Sequence, residues 1–352
     1  MATIKEIAKR AKVSVGTVSK VLTNTPYVAD ETRARIQHVI DEMGYNPSFA
    51  GRALSGGRTY NIGVIFPHRG ADRFFSDPYQ ITVLQAIERV ISENEYNLLL
   101  SAPMIPFKDA RQFQRLISSG YLDGAITFEI IPDAPLRPHL EARKIPCISV
   151  DYHPLTKDKN TVYVNDFVGA HALTKHALAQ GHQRIGLITV SPSTIATWDH
   201  RMGGYRAAIE EAGLDFAQVP CVVGDFTTQS GSDAVDALLK KFAPDAPPTL
   251  IICFNDRMAI GAIQRLQALG LLVPQQISVI GFDDIPLAAM LHPALTTVRQ
   301  PGDLLGTRAA EILMTWLNIS VERREIPEEG FVPEILSPEV MIRDSLAPVE
   351  RG

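Results

Sequence analysis

The chain has 352 residues, of which 45% are hydrophobic and 21% charged, and its formal net charge is −5. This length is too great for one ordinary core, so two or three units are expected, and the composition is that of a globular protein. No apolar run reaches the roughly 18–20 residues that a membrane helix needs, which argues against a membrane partner. The first residues lack the apolar core of a signal peptide, so we expect a cytoplasmic protein.

Charge is spread unevenly along the chain. Residues 1–58 contain nine Lys or Arg against five Asp or Glu, about +4, which leaves about −9 for the remainder. A basic end on an acidic body suggests an N-terminal module that meets a polyanion, although small domains often carry a few net charges.

Three short helices are predicted in this module. Thr3 and Glu6 have the spacing of a capping box, and apolar residues then recur with helical periodicity at Ile4, Ile7, Ala8 and Ala11. Ser14 is a good cap for a second helix, whose apolar face carries Val18, Val21 and Leu22. A third helix is expected from near Asp30 to Gly44. The first two helices, separated by about three residues, form a helix-turn-helix.

The outward face of the second helix is small, polar and singly basic, with Val15, Gly16, Thr17, Ser19 and Lys20. A three-helix bundle that binds something else is the alternative. Small side chains favour close approach to a DNA groove, where Lys20 can donate to guanine O6 and N7. The methyl groups of Val15 can contact a thymine methyl group.

Residues 3–8 and 13–22 resemble the headpiece of the lactose-repressor (LacI/GalR) family, as do Val28 and residues 31–33 and 44–47. The resemblance implies that the second helix enters the major groove of operator DNA. It assigns base-reading positions to Val15, Gly16 and Lys20, and mainly phosphate-contacting positions to Ser14, Thr17 and Ser19, with Thr3 included in the interface. Gly16 has no side chain with which to read a base. Lys20 stands where arginine is commoner, which weakens bidentate guanine recognition.

A hinge is expected at residues 47–58, after a headpiece of residues 1–46. Between Pro47 and the Gly56-Gly57 pair lie barely two turns of potential helix, too short to be stable alone, so a flexible linker is the simplest interpretation. The resemblance implies instead a hinge helix that folds on the operator, pairs with its copy in a homodimer and inserts Leu54 into the minor groove. Arg52 matches an arginine two residues before that leucine. An inserted apolar side chain kinks the duplex.

The body, residues 59–343, alternates short apolar runs with amphipathic segments, which indicates parallel sheets covered on both faces. Strands are predicted at residues 62–66, 97–100, 124–127, 147–150, 185–188, 250–253 and 279–282. Three cysteines, far apart in the chain, are expected to be buried thiols.

The body also resembles the family's two-lobed, periplasmic-binding-protein-like (type I) effector domain, at residues 181–186, 204–208, 255–261, 270–274, 280–284 and 295–301. The resemblance implies three crossings between the lobes, which we place near residues 163, 299 and 326. Lobe 1 then comprises residues 59–163 and 299–326, lobe 2 comprises residues 164–298 and 327–343, and residues 344–352 form a frayed tail.

Candidate effector residues lie at predicted strand ends and match family ligand positions: Tyr79, Asp151, Tyr152, Thr197, Trp198, Arg201, Phe226 and Asp283. Carboxylates and an arginine can bond paired hydroxyl groups, and aromatic rings can cover an apolar sugar face. The aromatic candidates can equally be core residues, and Asn255-Asp256 can be a structural helix cap.

The sequence contains no nucleotide-binding glycine loop, no Walker loop and no nucleophile elbow, so we expect no enzyme, cofactor or metal. A sugar-controlled transcriptional regulator, most consistent with a repressor, is the favoured function. A purine- or nucleoside-responsive regulator of the same family is the alternative, and a solute-binding protein is the rival from another class. Effector identity, induction versus corepression, operator sequence and dimer versus tetramer stay open.

Overall fold

The N-terminal helices pack around one small core. The computed structural model describes residues 3–22, 27–45, 58–66, 76–103, 111–118, 120–128, 137–151, 160–192, 198–323 and 333–349. The headpiece contains α1 (Ile4–Arg10), α2 (Val15–Leu22) and α3 (Asp30–Glu42). The expected capping box is confirmed, because Thr3 N donates to Glu6 Oε2 at 2.7 Å and Glu6 N donates to Thr3 Oγ1 at 3.4 Å.

The first lobe is built on a six-stranded parallel sheet of strand order β11-β5-β4-β3-β1-β2. Its strands are β1 (Asn61–Ile65), β2 (Asn97–Ser101), β3 (Gly124–Phe128), β4 (Cys147–Val150), β5 (Thr161–Val164) and β11 (Glu334–Leu336). Its helices are α4 (Pro78–Glu93), α5 (Arg111–Ser118), α6 (Arg137–Glu141) and α11 (Gly302–Arg323). Helix α11 packs against α4 and against β3, β4 and β5.

The second lobe contains a four-stranded parallel sheet of order β7-β6-β8-β9. Its strands are β6 (Ile185–Val190), β7 (Cys221–Gly224), β8 (Leu250–Cys253) and β9 (Ser278–Ile280). Its helices are α7 (Asp166–Ala179), α8 (Trp198–Glu211), α9 (Thr228–Leu239) and α10 (Asp256–Ala268), which pack as the pairs α7–α8 and α9–α10. Strand β7 is an edge strand, so Cys221 is exposed, contrary to expectation, whereas Cys147 and Cys253 are buried.

The chain passes between the lobes three times. The first passage follows β5, and the second contains β10 (Thr297–Arg299), which pairs antiparallel with β12 (Glu339–Met341). The third passage was expected near residue 326, and that position is wrong. Strand β11 pairs with β5 of the first sheet, so the chain returns to the second lobe only after Leu336.

The segment after residue 343 was expected to fray, but residues 344–349 dock onto the second lobe. Ser345 is buried and its hydroxyl group donates to the Val279 carbonyl oxygen at 2.6 Å. Leu346 is also buried, and Val349 N donates to the Gln180 carbonyl oxygen at 3.0 Å. Ser345 and Leu346 are therefore buried parts of the second lobe.

Adjacent glycines on α8 provide a test of the α7–α8 contact. A Cβ atom at Gly204 would lie 2.5 Å from the Phe167 carbonyl oxygen, whereas one at Gly203 would lie 3.4 Å from the nearest atom of the Phe167 ring. Gly204→Ala should lower the unfolding free energy by about 2 kcal/mol, because overpacking forces the helices apart. Gly203→Ala should be neutral or stabilising by up to about 1 kcal/mol, because it removes a glycine from a helix. Equal thermal midpoints for the two variants would contradict this packing.

Candidate functional site

The outward face of α2 carries the predicted DNA-contacting residues. Ser14, Val15, Gly16 and Lys20 are exposed, Thr17 and Ser19 are half-buried, and Thr3 is exposed at the start of α1. Val18 and Val21 occupy the opposite, buried face of α2. Arg52 and Leu54 lie outside the described residues.

Local hydrogen bonds fix the start of α2. The Thr17 backbone N–H donates to Ser14 Oγ at 3.1 Å, and the two hydroxyl groups lie 2.8 Å apart. A Cβ atom at Gly16 would meet only Ser14 Oγ within 4 Å, at 3.7 Å. The backbone of α2 can therefore approach another molecule closely at this point, while Val15, with 42% exposure, offers an apolar surface.

The second site lies between the lobes, where the carboxyl ends of the strands meet. From the first lobe, Tyr79 stands in the first turn of α4 and Asp151 directly follows β4. The Tyr79 hydroxyl group donates to Asp151 Oδ2 at 3.3 Å. From the second lobe, Arg201 projects from α8 and Asp283 follows β9.

Arg201 is the centre of a buried polar cluster. Its Nε and Nη2 atoms donate to Asp166 Oδ2 at 3.2 and 2.9 Å, and its Nη1 donates to the Phe254 carbonyl oxygen at 2.6 Å. Asp283 Oδ1 lies 3.9 Å from Nη1. The guanidinium carbon lies 3.7 Å from the Phe282 ring centroid and 4.9 Å from that of Phe254. Burial opposes the positive charge, but Asp166 and Asp283 outweigh it and raise the pKa of Arg201.

The carboxylates of the two lobes influence one another. Burial, followed by the charge of Asp166, raises the pKa of Asp151 to about 7. Burial also raises the pKa of Asp283, and the positive charge of Arg201 opposes this rise. Gln300 Nε2 donates to Asp283 Oδ1 at 2.7 Å. Burial and then the charges of Asp151, Asp166 and Asp283 raise the pKa of Tyr79, so the groups of both lobes share one cleft.

The structure brings Tyr79, Asp151, Arg201 and Asp283 together. Phe226 joins them through Phe254, with ring centroids 6.3 Å apart. Trp198 packs against the core, and its Nε1 donates to the Val190 carbonyl oxygen at 2.9 Å. Tyr152 and Thr197 lie outside the described residues.

The structural interpretation of Asn255-Asp256 fits the geometry. Asn255 Oδ1 accepts from Met258 N at 2.9 Å and caps α10. Asp256 is fully buried and accepts from the Thr297 hydroxyl group and from Ile285 N.

Sequence reasoning missed four residues of the cleft: Asp166, Phe254, Phe282 and Gln300. Each stands within two residues of the end of a strand, the position that identified Asp151. Two of them follow β5 and β10, which were not predicted as strands. The two phenylalanines extend apolar runs, which is a pattern typical of core residues.

Comparisons with known proteins agree with this division into a headpiece and a two-lobed body. A helix-turn-helix joined to a two-lobed α/β body defines a DNA-binding transcriptional regulator that binds a small molecule. Residues 3–48 match the bacterial regulatory proteins of the lacI family, and residues 174–346 match the periplasmic binding protein-like domain. The chain belongs to the LacI family of bacterial transcriptional regulators.

Relatives cover nearly the whole chain. The HTH-type transcriptional repressor PurR of Aliivibrio fischeri (strain MJ11) is 32% identical over 347 residues, which is 98% of each chain. PurR of Salmonella newport (strain SL254) is 34% identical over 316 residues, covering 89% of this chain and 90% of the relative.

Solved structures share the architecture. A transcriptional regulator CelR–cellobiose complex is 26% identical with a TM-score of 0.71, covering 98% of this chain and 100% of the other. The lac repressor dimer bound to operator and the anti-inducer ONPF is 22% identical with a TM-score of 0.76, covering 98% of this chain and 99% of the other, and supports the fold alone.

Within the described residues, no helix is long and apolar enough to cross a membrane.

Removal of Asp166 tests the buried ion pair. Asp166→Ala should lower the unfolding free energy of the body by about 3–5 kcal/mol, because Arg201 would keep its charge without its closest carboxylate. Urea unfolding can be followed by fluorescence, since both tryptophans, Trp198 and Trp316, lie in the body. Asp236→Ala is the matched control, because it breaks the half-exposed pair with Arg265 at 2.9 Å and should cost at most about 1 kcal/mol. Comparable losses in the two variants would refute a dominant role for the buried pair.

The raised pKa of Asp151 predicts a pH-dependent stability difference. Its pKa is about 7 in the folded protein against an ordinary value of 3.8, so between these values the folded state retains a proton that the unfolded chain has released. The stability contribution of Asp151 is therefore present at low pH and falls as pH rises toward 7. Asp151→Asn cannot titrate and should gain stability relative to the unsubstituted chain from pH 4 to pH 7. A pH-independent difference between Asp151→Asn and the unsubstituted chain would contradict the prediction.

Proposed function

We propose that this protein is an operator-specific repressor whose DNA affinity is set by a neutral purine base or nucleoside bound between the lobes. The observation that carries the proposal is the cleft in which Tyr79 and Asp151 of one lobe face Arg201 and Asp283 of the other. The sequence alone favoured a sugar. Full-length similarity to PurR repressors, which are purine-responsive, supports the purine alternative instead.

The electrostatics of the cleft favour a ligand without negative charge. Arg201 is the cation whose charge acts on both Asp151 and Asp283, and Asp166 and Asp283 already compensate it. A phosphate group would meet carboxylates on both lobes, at a cost in a buried site. A neutral heterocycle offers N–H groups to carboxylate acceptors and ring acceptors to any guanidinium N–H that Asp166 and Phe254 leave available.

A sugar is the second candidate, and a specific observation favours it. Asp151 and Asp283 are carboxylates on opposite lobes, and each can accept from paired hydroxyl groups. The similar CelR structure is a complex with cellobiose.

For the DNA interface, we propose that a homodimer places two headpieces on a nearly palindromic operator. Val15, Gly16 and Lys20 face base edges, whereas Thr3, Ser14, Thr17 and Ser19 contact phosphates. Arg52 and Leu54 contribute from the hinge. The effector shifts operator affinity through its unequal affinities for two arrangements of the lobes, and the sign of the effect decides between induction and corepression.

Selection from a pool of random duplex DNA tests the whole proposal. The full chain should enrich one palindrome, and enrichment should change when purine bases or nucleosides are added, but not with the corresponding nucleotides. A response to sugars alone would establish the second candidate. Failure to enrich any sequence would overturn the repressor assignment.

The variant Lys20→Ala tests the proposed base contact in the same DNA selection. It should relax the preference at one base pair per half-site and weaken specific binding by about 1–3 kcal/mol, because the lost contact is to a base. Arg35→Ala removes one charge from an exposed position on α3 and controls for general electrostatics. A uniform loss over all sequences with Lys20→Ala would show that Lys20 contacts phosphate instead.

A further inference from the structure

The first residues of the body are held by one carboxylate. Asp123 accepts hydrogen bonds from Thr59 N at 2.9 Å, from the Thr59 hydroxyl group at 2.8 Å and from Tyr60 N at 2.9 Å. Tyr60 has a φ of 56°, in the left-handed region, and Asp123 bonds the N–H of this residue and of the one before it. Asp123 therefore fixes the direction in which the chain enters β1.

Arg58 holds the start of the body against α11. Its Nη2 donates to the Leu317 carbonyl oxygen at 3.1 Å, and its guanidinium carbon lies 5.9 Å from the Tyr96 ring centroid. Arg58 is the last residue of the predicted hinge. Arg58, Thr59, Tyr60 and Asp123 are here called the entry clamp.

The other end of α11 reaches the interlobe cleft. A Cβ atom at Gly302 would lie 3.1 Å from Cε2 of Tyr79, and one at Gly306 would lie 2.3 Å from the Val83 carbonyl oxygen. The first turns of α11 therefore touch Tyr79 and the backbone of α4 with no side chain between them. Gly302 and Leu317 are fifteen residues apart on one helix, which is about 22 Å along its axis.

We infer that α11 connects the effector cleft mechanically to the entry clamp, and that Arg58 and Asp123 are positioning residues for operator binding. A hydrogen-bonded helix moves largely as one body, so a displacement at Tyr79 carries the Leu317 carbonyl group with it. Arg58 follows that carbonyl group and alters how the chain leaves the body toward the headpiece. The role in operator binding rests on the function proposed above, whereas the mechanical connection does not.

Substitutions at the cleft end of α11 test the connection without DNA or ligand. Gly306→Ala and Gly302→Ala add one methyl group each between α11 and α4. Amide hydrogen exchange at Thr59 and Tyr60 should then become faster, by about fivefold or more with Gly302→Ala and further with Gly306→Ala. Asp303→Asn is the control, because it weakens the exposed pair with Arg89 beside Gly302 and adds no atom to the contact. If the Gly306 variant does not fold, the Gly302 variant decides.

A double substitution separates coupling from general loosening. If α11 acts through Arg58, Gly302→Ala should have little further effect on exchange at Thr59 in a chain that already carries Arg58→Gln. Additive effects, or unchanged exchange at Thr59 and Tyr60 in the glycine variants, would overturn the mechanical connection.

Operator affinity completes the test in the full chain. Arg58→Gln and Asp123→Asn should weaken binding to the selected palindrome about tenfold, and binding to an unrelated duplex should stay unchanged. The thermal midpoint of the body separates a positioning role from a merely structural one. For merely structural residues, the substitutions would lower this midpoint and leave affinity for the palindrome intact. That result would overturn the positioning role. If no palindrome can be selected, the repressor function fails and the exchange measurements still decide the connection.

Discussion

The buried pair of Arg201 and Asp166 is the interaction on which the cleft depends. Asp166 begins α7 two residues after β5 ends, so it stands where the chain leaves the first lobe. The neighbouring Asn165 N donates to the Leu336 carbonyl oxygen at 2.9 Å, which ties the first passage to the third. Because an unpaired buried charge is strongly destabilising, Arg201 must keep this carboxylate beside it. The position of α8 is thereby fixed relative to the passages, and with it the second-lobe wall of the cleft.

This arrangement also limits what the cleft can recognise. Arg201 already donates to Asp166 and to the Phe254 carbonyl group, so a ligand receives only part of its hydrogen-bonding capacity. Asp151 and Asp283 supply acceptors from opposite lobes, and the raised pKa values of both show the cost of holding their charges there. A ligand that donates hydrogen bonds relieves that cost, whereas an anion increases it.

The sequence pattern predicted those helices and strands whose pattern is complete within a few consecutive residues. The capping box at Thr3 and the apolar faces of α1 and α2 are local features, as are the continuous apolar strands of both lobes. Strands β5 and β11 have only four and three residues and acquire their identity from pairing with each other across the sequence, so the third passage was misplaced. Ser345 and Leu346 are buried by residues far away in the chain, such as Val279, and no pattern near the terminus could indicate it. Asp166 was not predicted as a site residue for the same reason, because its ion-pair partner Arg201 lies on another helix.

Polar groups of the cleft bond one another, as Gln300 with Asp283 and Arg201 with Asp166. A ligand that bonds Asp283 competes with Gln300, which lies in the second passage, and one that bonds Arg201 perturbs the contact with Asp166 at the first. Because existing hydrogen bonds are exchanged rather than added, the net affinity gained per contact is small. The same exchange involves residues in two of the three passages between the lobes. Under the proposed function, this modest binding energy is partly converted into a preference for one arrangement of the lobes. A ligand controls a distant DNA-binding surface only through unequal affinities for two states.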